Sequence, residues 1–458
     1  MENNNLINRD DLSAILSSYS RTGTSFKITG FRETNMETFG VNSAVYLISD
    51  IVRDNTVFWP YDIIVKKYFT REDAKGKKNG PVILSPRITY ESEKAFYRFA
   101  NNHLVLRVGG EDARVVPVCL NLNLPLENPT RTKLDNNRTL VLQAYERRGI
   151  IDRIKEIAQI RDGHIDIEDV MPFLSPLFML WEEATAHMDQ LGVGLPAPTE
   201  LGRDEANEFR IYRPTSATYK RRNVGYVLYI LKSMDVDISD EEREQYMNDV
   251  AVLAPYISAE GREGLESVIH GDCTPRNHLG RVLIDPSSFR ISAWPLDLAY
   301  LLKNPYFDGL GLDDKTLIEA CVEGVNNVRK TFVREPKKIR VSEALKSLYI
   351  CGFHGAVRNF GIDEMKLKER QAYKDFVKRN PEYLRGLQQH LANARTYLEK
   401  LSALSLTRDE GRAVEGIIRQ GDKWGLFRSP EGNGGQSRRT LRTSPEPTSH
   451  LAMAGAEN

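Results

Sequence analysis

The sequence predicts an α+β fold with two lobes, a small β-rich lobe followed by a large and mainly helical lobe. Its 458 residues are too many for one small core, which favours more than one lobe. Up to residue 145, runs of β-branched and aromatic residues alternate with polar turns, as strands do. Beyond residue 148, apolar residues recur at three- and four-residue spacing, as on one face of a helix.

The small lobe is predicted over residues 25–145, as antiparallel strands with one helix. The helix covers Ser85 to Asn101, where apolar side chains recur at helical spacing among charged ones. The segment from Asn128 to Arg138 is polar and is interpreted as turn-forming. The runs predicted as strands are Ser25–Phe31, Ala44–Val52, Tyr61–Phe69, Val115–Leu124 and Thr139–Tyr145.

The large lobe is predicted over residues 146–428, with a strand-like interruption from Asp272 to Asp285. Residues 1–24 are interpreted as an N-terminal extension. Residues 429–458 contain almost no large apolar groups, and we predict disorder because they cannot offset the entropy lost on ordering. Helical spacing marks the segments Glu168–Leu191, Asn223–Val236, Glu241–Ile257, Asp314–Arg329, Ser342–Asn359 and Pro381–Leu404.

Composition argues against several classes of function. The 63 basic and 63 acidic residues cancel, so no global field attracts nucleic acid or anionic lipid. The four cysteines form no CxxC pair, which argues against a structural zinc site or a disulfide framework. The longest apolar stretch, Val170 to Trp181, is interrupted by two prolines and is too short to cross a bilayer. Together with a polar N-terminus, these features predict a soluble, cytoplasmic protein with no membrane or nucleic-acid partner.

The chemistry is concentrated in one run, His270-Gly271-Asp272-Cys273-Thr274-Pro275-Arg276-Asn277, followed by Ile284-Asp285. A phosphoryl-transfer site needs an aspartate that orients the acceptor hydroxyl and accepts its proton. It also needs an asparagine and a second aspartate that hold a divalent metal against nucleotide phosphates. Asp272, Asn277 and Asp285 meet these needs at the spacing of a kinase catalytic loop. The alternative is a surface turn in which the histidine and aspartate are merely hydrogen-bonded.

The octet has the form His-Gly-Asp-x-x-Pro-x-Asn, which resembles the catalytic loop of the aminoglycoside phosphotransferase and choline kinase group. That group shares the protein-kinase-like fold. Its second signature, Ile-Asp followed by Asp-Leu-Ala, matches Ile284-Asp285 and the Asp-Leu-Ala that begins at Asp297. The resemblance covers about residues 25 to 404. It implies that Asp285 ligates metal, and that His270 and Asp297 support the catalytic loop.

The resemblance also implies a phosphate-binding loop and a lysine in the small lobe. Gly40 would let backbone amides approach phosphate oxygens, and Asn42 and Ser43 would add donors. On local features an ordinary hairpin turn is equally consistent. Lys66 ends an apolar run and is favoured over Lys67 as the lysine that contacts nucleotide phosphates, as in kinases. A solvated lysine pair on an exposed strand is the alternative.

Two further small-lobe features follow from the same resemblance. Glu93 begins Glu-Lys-Ala-Phe-Tyr-Arg, which is similar to the group's Glu-x-x-Phe-Tyr-Arg, and is favoured over Glu91 as the partner of Lys66. Most glutamates on such a helix are simply solvated. Gln143 and Tyr145 lie at the end of the last strand, where the hinge of the family binds the nucleotide base.

The chain departs from the family pattern in two places. Only seven residues separate Asn277 from Asp285, so the hairpin between them must turn tightly at Gly280-Arg281. The sequence after Asp285 is Pro-Ser-Ser-Phe rather than Phe-Gly. Because regulated protein kinases generally depend on Asp-Phe-Gly, this departure favours a small-molecule acceptor.

Other candidate residues have two readings each. His187 is interpreted as a packed or solvated histidine. His354 and Arg358 lie one helical turn apart and either line an acceptor pocket or form a helix–helix contact next to Gly355. The acidic residues of Glu182–Asp189 and Asp363–Glu369 suit either a polycationic acceptor or exposed helix faces.

The sequence therefore predicts a kinase that uses ATP or GTP with Mg²⁺ to phosphorylate a hydroxyl of a small molecule. Aminoglycosides, amino sugars, choline-like molecules and other metabolites are acceptors within the group. The alternative is a catalytically weak nucleotide-binding module that acts in regulation or interaction. A protein kinase is disfavoured because no activation segment with an Ala-Pro-Glu analogue follows Asp285.

Overall fold

The computed structural model of the protein describes residues 7–19, 25, 27–36, 43–54, 57–68, 86–108, 111–114, 116–124, 127–144, 150–161, 165–191, 193–194, 211–279, 282–286, 289–302, 312–369, 371–379 and 381–427.

The small lobe is built on an antiparallel sheet. The strands in its described part are β1 (Ile28–Met36), β2 (Ser43–Arg53), β3 (Val57–Phe58), β4 (Asp62–Tyr68), β5 (Val105–Val108), β6 (Glu111–Arg114), β7 (Val118–Cys119) and β8 (Thr139–Ala144). The strand order in the sheet is β1-β2-β4-β8-β7, and β3 pairs with β2 at its edge. Lys66 lies in the middle of this sheet, opposite Val45 on β2 and Leu140 on β8. The strands β5 and β6 form a separate hairpin.

In the described part of the small lobe, three helices accompany this sheet, where the sequence predicts one. The expected helix is α2 (Pro86–His103), whereas α1 (Arg9–Ser18) and α3 (Pro129–Asn136) are additional. The polar segment interpreted as turn-forming becomes α3 because Asn128 caps the helix and Pro129 occupies its first turn. The predicted strand Val115–Leu124 is reduced to β7 and continues as a 3₁₀ turn over Leu120–Asn123.

The alternation of side chains along the strands gives the sheet two buried faces. Ile63, Val65 and Val141 pack with Leu12 and Ile15 of α1, so part of the segment interpreted as an extension contributes to this core. On the opposite face, Leu140 and Leu142 join the large cluster that includes Phe96 of α2 and runs on through the helical lobe. Helix α2 therefore packs against the face of the sheet that carries Lys66.

The large lobe is mainly helical, which confirms the predicted α+β fold with a small β-rich lobe and a large helical one. Its helices are α4 (Ile150–Ile160), α5 (Ile167–Met179), α6 (Met188–Leu191), α7 (Ser216–Ser233), α8 (Asp240–Leu253), α9 (Pro255–Ser258), α10 (Pro295–Leu302), α11 (Asp314–Thr331), α12 (Val341–Glu369), α13 (Gln371–Arg379), α14 (Pro381–Ser402) and α15 (Arg408–Lys423). None of the helices in the described ranges is both long and apolar enough to cross a membrane.

Short strands position the functional residues within the large lobe. The strands β9 (Val193–Gly194), β10 (Ile211–Tyr212), β11 (Glu266–Ile269) and β14 (Arg290–Ala293) form one sheet in the order β11-β14-β10-β9. The strands β12 (His278–Leu279) and β13 (Val282–Leu283) form a separate hairpin. The chain leaves β11 directly into His270, so the catalytic-loop motif begins where a buried strand ends.

Candidate active site

Lys66 and Glu93 form a buried ion pair between β4 and α2. The Nζ atom of Lys66 lies 2.7 and 2.8 Å from the two carboxylate oxygens of Glu93. Successive side chains on a strand point to opposite faces, so Lys66 is buried while Lys67 is half-buried on the other face. The structure therefore brings together the lysine and glutamate that the sequence favours over Lys67 and Glu91.

Asp285 completes this cluster from the large lobe. Its Oδ1 atom lies 3.0 Å from Nζ of Lys66, and 43% of its side chain is exposed, whereas Glu93 is fully buried. The φ angle of Asp285 is 59°, which a non-glycine residue adopts at a cost. Such conformations concentrate at functional sites because the surroundings must hold them in place. The open side of Asp285 is where a ligand can reach the cluster.

The cluster of Lys66, Glu93 and Asp285 favours additional positive charge. Burial works to lower the pKa of Lys66, but Asp285 and Glu93 outweigh it and hold this pKa above its usual value. Burial, with a contribution from Asp285, also raises the pKa of Glu93 against the opposing effect of Lys66. Because the pKa of Glu93 is raised to about 7, the two carboxylates and the one ammonium carry a net charge between about 0 and −1 near pH 7. A divalent cation at the exposed oxygens of Asp285 fits that charge.

The described residues contain no cluster of three or more His, Cys, Asp or Glu side chains arranged to hold a metal ion. A Mg²⁺ ion bound with a nucleotide does not require one, because it takes one or two protein oxygens and completes its shell with phosphate oxygens and water. Asp285 and the side-chain oxygen of Asn277 are the groups that would hold it.

The short segment between Asn277 and Asp285 forms a two-stranded hairpin. Each strand is two residues long, and His278 pairs with Leu283. The next contact along the ladder is the amide of Ile284, which donates to the carbonyl of Asn277 at 2.9 Å. This register places Asn277 and Asp285 at the open end of the hairpin, just outside its two strands. The shortened loop thus still brings the two predicted metal ligands to the same end.

The catalytic-loop motif folds into a tight turn that fixes Asp272. Gly271 has a φ angle of 75°, which explains a glycine at this position. Nδ2 of Asn277 donates to the carbonyl oxygen of Asp272 at 2.8 Å and to its Oδ2 atom at 3.2 Å. Pro275 begins a 3₁₀ turn that ends at Asn277. Asp272 is thus held by its own loop, with 30% of its side chain exposed.

Asp297 and His270 anchor this loop to the core. The carboxylate of Asp297 is fully buried and accepts hydrogen bonds from the amides of His270 and Gly271 at 2.8 Å each, and from Nε1 of Trp181 at 2.9 Å. Nε2 of His270 contacts the carbonyl of Ile284 at 2.8 Å. The amide of Asp272 lies 3.4 Å from Nδ1 of His270, so a tautomer protonated on Nε2 satisfies both contacts. His270 thereby ties Asp272 to the residue that precedes Asp285.

A row of aromatic rings links the two lobes behind the site. Phe96 of α2 packs on Phe289 with ring centroids 4.0 Å apart, and Phe289 packs on His270 at 5.3 Å. Glu93 and Phe96 are neighbours on the same helix face, three residues apart. The position of Glu93 is therefore coupled through packing to that of the catalytic loop.

Asp272 also receives a guanidinium from the long helix α12. Nη2 of Arg358 lies 3.1 Å from Oδ1 of Asp272, the oxygen that Asn277 does not contact. Arg358 also lies over the ring of Tyr300, 5.1 Å from its centroid. Burial works to lower the pKa of Arg358, but Tyr300 and Asp272 outweigh it, so this residue stays charged. The contact with Asp272 is compatible with the acceptor-pocket interpretation of Arg358, which stays a prediction.

His354 follows the helix–helix reading instead. It is buried against α7, with Nδ1 3.4 Å from Nδ2 of Asn223 and its ring edge-on to Tyr219 at 5.4 Å. Gly355 permits the approach of α12 to α10, since a Cβ atom there would lie 2.9 Å from the Tyr300 ring. His187 packs against the ring of His103, with centroids 4.6 Å apart, as expected for a packed histidine.

The other small-lobe candidates are less informative. Ser43 is buried at the start of β2, opposite Tyr68. Gln143 is buried on β8 between Ile63 and Val118, and lies about 10 Å along the strand from the residue paired with Lys66. Gly40, Asn42 and Tyr145 lie outside the described residues, as does the segment 429–458.

One residue beside the site was missed by the sequence reasoning. Arg290 lies on β14, is buried, and donates to the carbonyl of Gly271 through Nη2. A buried arginine at the start of a fully buried strand is unusual enough to suggest a functional position. The run Phe289-Arg290-Ile291-Ser292-Ala293 carried that signal.

Comparison with known proteins is limited to structural similarity. No model of a protein family and no curated protein sequence matches the chain. The structure is similar to a choline kinase from Cryptosporidium parvum, with a TM-score of 0.40 and 9% identity over 87% of this chain and 94% of that one. It is also similar to a macrolide 2'-phosphotransferase type I, with a TM-score of 0.36 and 10% identity over 80% and 93%.

A third similar structure is an aminoglycoside phosphotransferase from Streptomyces rimosus, with a TM-score of 0.28 and 15% identity over 75% of this chain and 98% of that one. All three proteins are phosphotransferases of the group that the catalytic-loop motif resembles. At these TM-scores the similarities carry no argument of their own, so the functional argument rests on the contacts of the site.

Proposed function

We propose that the protein is a kinase that transfers the γ-phosphate of ATP or GTP to a hydroxyl of a small molecule. The observation that carries this proposal is the contact of Lys66 with both Glu93 and Asp285, next to the Asp272–Asn277 turn. A kinase site needs these groups together, because the reaction depends on positioning and on neutralising phosphate charge. The three similar structures are named as phosphotransferases for small acceptors, which is in keeping with this proposal.

Each side chain has a role in the proposed reaction. Lys66, oriented by Glu93, contacts the nucleotide phosphates, while Asp285 and Asn277 provide oxygens for Mg²⁺. When bound, Mg²⁺ and the nucleotide supply charge neutralisation and the phosphoryl group. Asp272 orients the acceptor hydroxyl and takes its proton as the new bond from oxygen to the γ-phosphorus forms. The bond from the γ-phosphorus to the bridging oxygen of the β-phosphate breaks, and ADP or GDP leaves. His270 and Asp297 keep Asp272 and Asp285 at a fixed separation.

The test is ATP and GTP consumption by the full chain with a panel of hydroxylated acceptors, with Mg²⁺ and with EDTA. We expect consumption that requires both an acceptor and Mg²⁺, together with a phosphorylated product detected by mass spectrometry. The weak-kinase alternative predicts Mg²⁺-dependent nucleotide binding, measured by calorimetry, without turnover on any member. If neither nucleotide binds, both readings are wrong.

A further inference from the structure

Arg358 places a positive charge on the Asp272 oxygen that Asn277 leaves free. Asn277 contacts Oδ2 and belongs to the hairpin that ends at Asp285, so this oxygen faces the nucleotide side. Arg358 contacts Oδ1 and comes from α12 of the helical lobe. Because Asp272 lies between donor and acceptor in the proposed reaction, the guanidinium lies on the acceptor side.

We propose that the acceptor carries an anionic group, a carboxylate or a phosphate monoester, and that Arg358 binds it. This inference rests on the proposed kinase function and names its class of substrate. A guanidinium fork suits either anion because it can form two parallel hydrogen bonds to a pair of oxygens.

Arg358 has both the access and the donors for this role. Its side chain is 21% exposed, and Asp272 beside it is 30% exposed, so a ligand can reach both. Of its five N–H donors, one bonds Asp272 and one bonds Oδ1 of Asn359. Its remaining donors have no acceptor among the residues that the structure describes. An acceptor anion can therefore bind Arg358 without first displacing Asp272.

The surroundings of Arg358 are positively charged. The buried guanidinium of Arg290 has no carboxylate within salt-bridge distance in the described part of the chain, and its Nε atom there has no hydrogen-bond acceptor. Burial, Arg358, Arg290 and Arg222 lower the pKa of His354 to about 3, so this histidine is neutral near pH 7. Two guanidiniums near the carboxylate of Asp272, those of Arg358 and Arg290, attract an anion and disfavour a polycation.

The acidic groups that a polycation would need are engaged elsewhere. Glu182 is buried and lies 2.7 Å from Nη1 of Arg329, and Glu183 lies 2.6 Å from Nη1 of Arg334. The buried Asp363 accepts a 2.7 Å hydrogen bond from the hydroxyl of Tyr373. These three carboxylates already have partners within the protein, so they are not available to bind an aminoglycoside.

The test compares acceptors of matched size and different charge, at saturating Mg²⁺–ATP, with the full chain. D-glycerate and glycerol 3-phosphate provide the carboxylate and the phosphate, glycerol is the neutral match, and choline and kanamycin are the cations. The readout is the ratio of kcat/KM for an anionic acceptor to that for glycerol. The variants are Arg358→Gln, which removes the charge, and Arg358→Lys, which keeps it. Arg412→Gln, at an exposed position on α15, is the control.

We expect the ratio to exceed tenfold for at least one anion in the wild type and the control. Arg358→Gln should lower it at least tenfold, which is about 1.4 kcal/mol of binding, with the KM for ATP unchanged. Arg358→Lys should retain part of it. Whether glycerate or glycerol 3-phosphate gains more identifies the anion. Any effect of the variants on Asp272 itself changes kcat for all acceptors and cancels in the ratio.

The inference is overturned if glycerol, choline or kanamycin is used as well as the anions, or if no anion gives a measurable gain. It is also overturned if Arg358→Gln raises the KM for ATP and leaves the ratio intact, since Arg358 would then contact the nucleotide. Failure of the proposed function is distinguishable, because the wild-type protein would then phosphorylate none of the acceptors, neutral, cationic or anionic, whether or not it binds Mg²⁺–ATP in calorimetry.

Discussion

The two sides of Asp272 differ in their charge balance. On the small-lobe side, Glu93 and Asp285 surround one ammonium, that of Lys66. On the helical side, Arg358 and Arg290 lie near one carboxylate, that of Asp272 itself. One chain with no net charge thus builds a negative and a positive region on either side of one loop.

The difference matches the charge of the ligand proposed for each side of Asp272. A negative region attracts a divalent cation, and that cation brings nucleotide phosphates with it. A positive region attracts an anion directly, as proposed for the acceptor. Asp272 belongs to both regions, since one oxygen contacts Asn277 and the other contacts Arg358.

The largest expected effect comes from the residue between the two regions. Asp272→Asn should lower kcat by about 10³-fold, because an amide cannot accept the hydroxyl proton. Mg²⁺–ATP affinity should stay within about twofold, since Lys66 and Asp285 are unchanged. Steady-state kinetics and calorimetry measure the two quantities. Near-normal turnover would remove Asp272 from the catalytic role, and Asp409→Asn, at an exposed helix position, is the matched control.

The region formed by Glu93, Asp285 and Lys66 is tested by replacing Lys66, which removes its ammonium group. Lys66→Met should lower the free energy of unfolding by about 3–5 kcal/mol, because Glu93 is left buried without its partner. The double variant Lys66→Met with Glu93→Leu should recover most of this stability without restoring nucleotide binding. Denaturant unfolding and calorimetry check both statements. If the double variant binds Mg²⁺–ATP normally, the ion pair has no part in the nucleotide site.

The positive region is tested through the stability of the protein against pH. Burial and three guanidiniums lower the pKa of His354 to about 3 in the folded protein. Below about pH 6.5, His354 is therefore protonated in the unfolded chain but stays neutral in the folded protein. Stability is therefore lost as pH falls, by about 2 kcal/mol from pH 7 to pH 5. His354→Gln keeps a hydrogen-bonding group for Asn223 and should reduce that loss by the same amount.

Denaturant unfolding of the wild type and of His354→Gln at both pH values measures this difference. Other titrating groups affect both proteins equally, so the difference between their losses of unfolding free energy from pH 7 to pH 5 isolates His354. Equal losses would mean that His354 does not lie in a positive, buried environment.

The sequence located the catalytic loop because its chemistry is contiguous. His270, Asp272, Asn277 and Asp285 fall within sixteen residues, and strand alternation separates Lys66 from Lys67. The structure brings these side chains together, and their roles remain predictions for the experiments above. Helix α1 was missed although Leu12, Ile15 and Leu16 show helical spacing after the cap Asn8.

The sequence left the role of Arg358 open between an acceptor pocket and a helix–helix contact. Arg358 follows Asp272 by 86 residues, and their contact depends on how α12 packs against α10 and α7. The sequence also left the acidic residues of Glu182–Asp189 open between a substrate surface and exposed helix faces. Glu182 and Glu183 are in fact buried, because Arg329 and Arg334 of distant segments reach them. Pairings across such distances are set by tertiary packing and leave no local pattern.

The central claim is that Asp285 and Lys66 form a nucleotide–metal site, and calorimetric titration of ATP tests it most directly. Wild-type protein should bind ATP in Mg²⁺ at least tenfold more tightly than in EDTA. Asp285→Asn should remove that difference, because the carboxylate oxygen that holds the metal is replaced by an amide. Equal binding of ATP by the wild type and by Asp285→Asn, with or without Mg²⁺, would contradict the account.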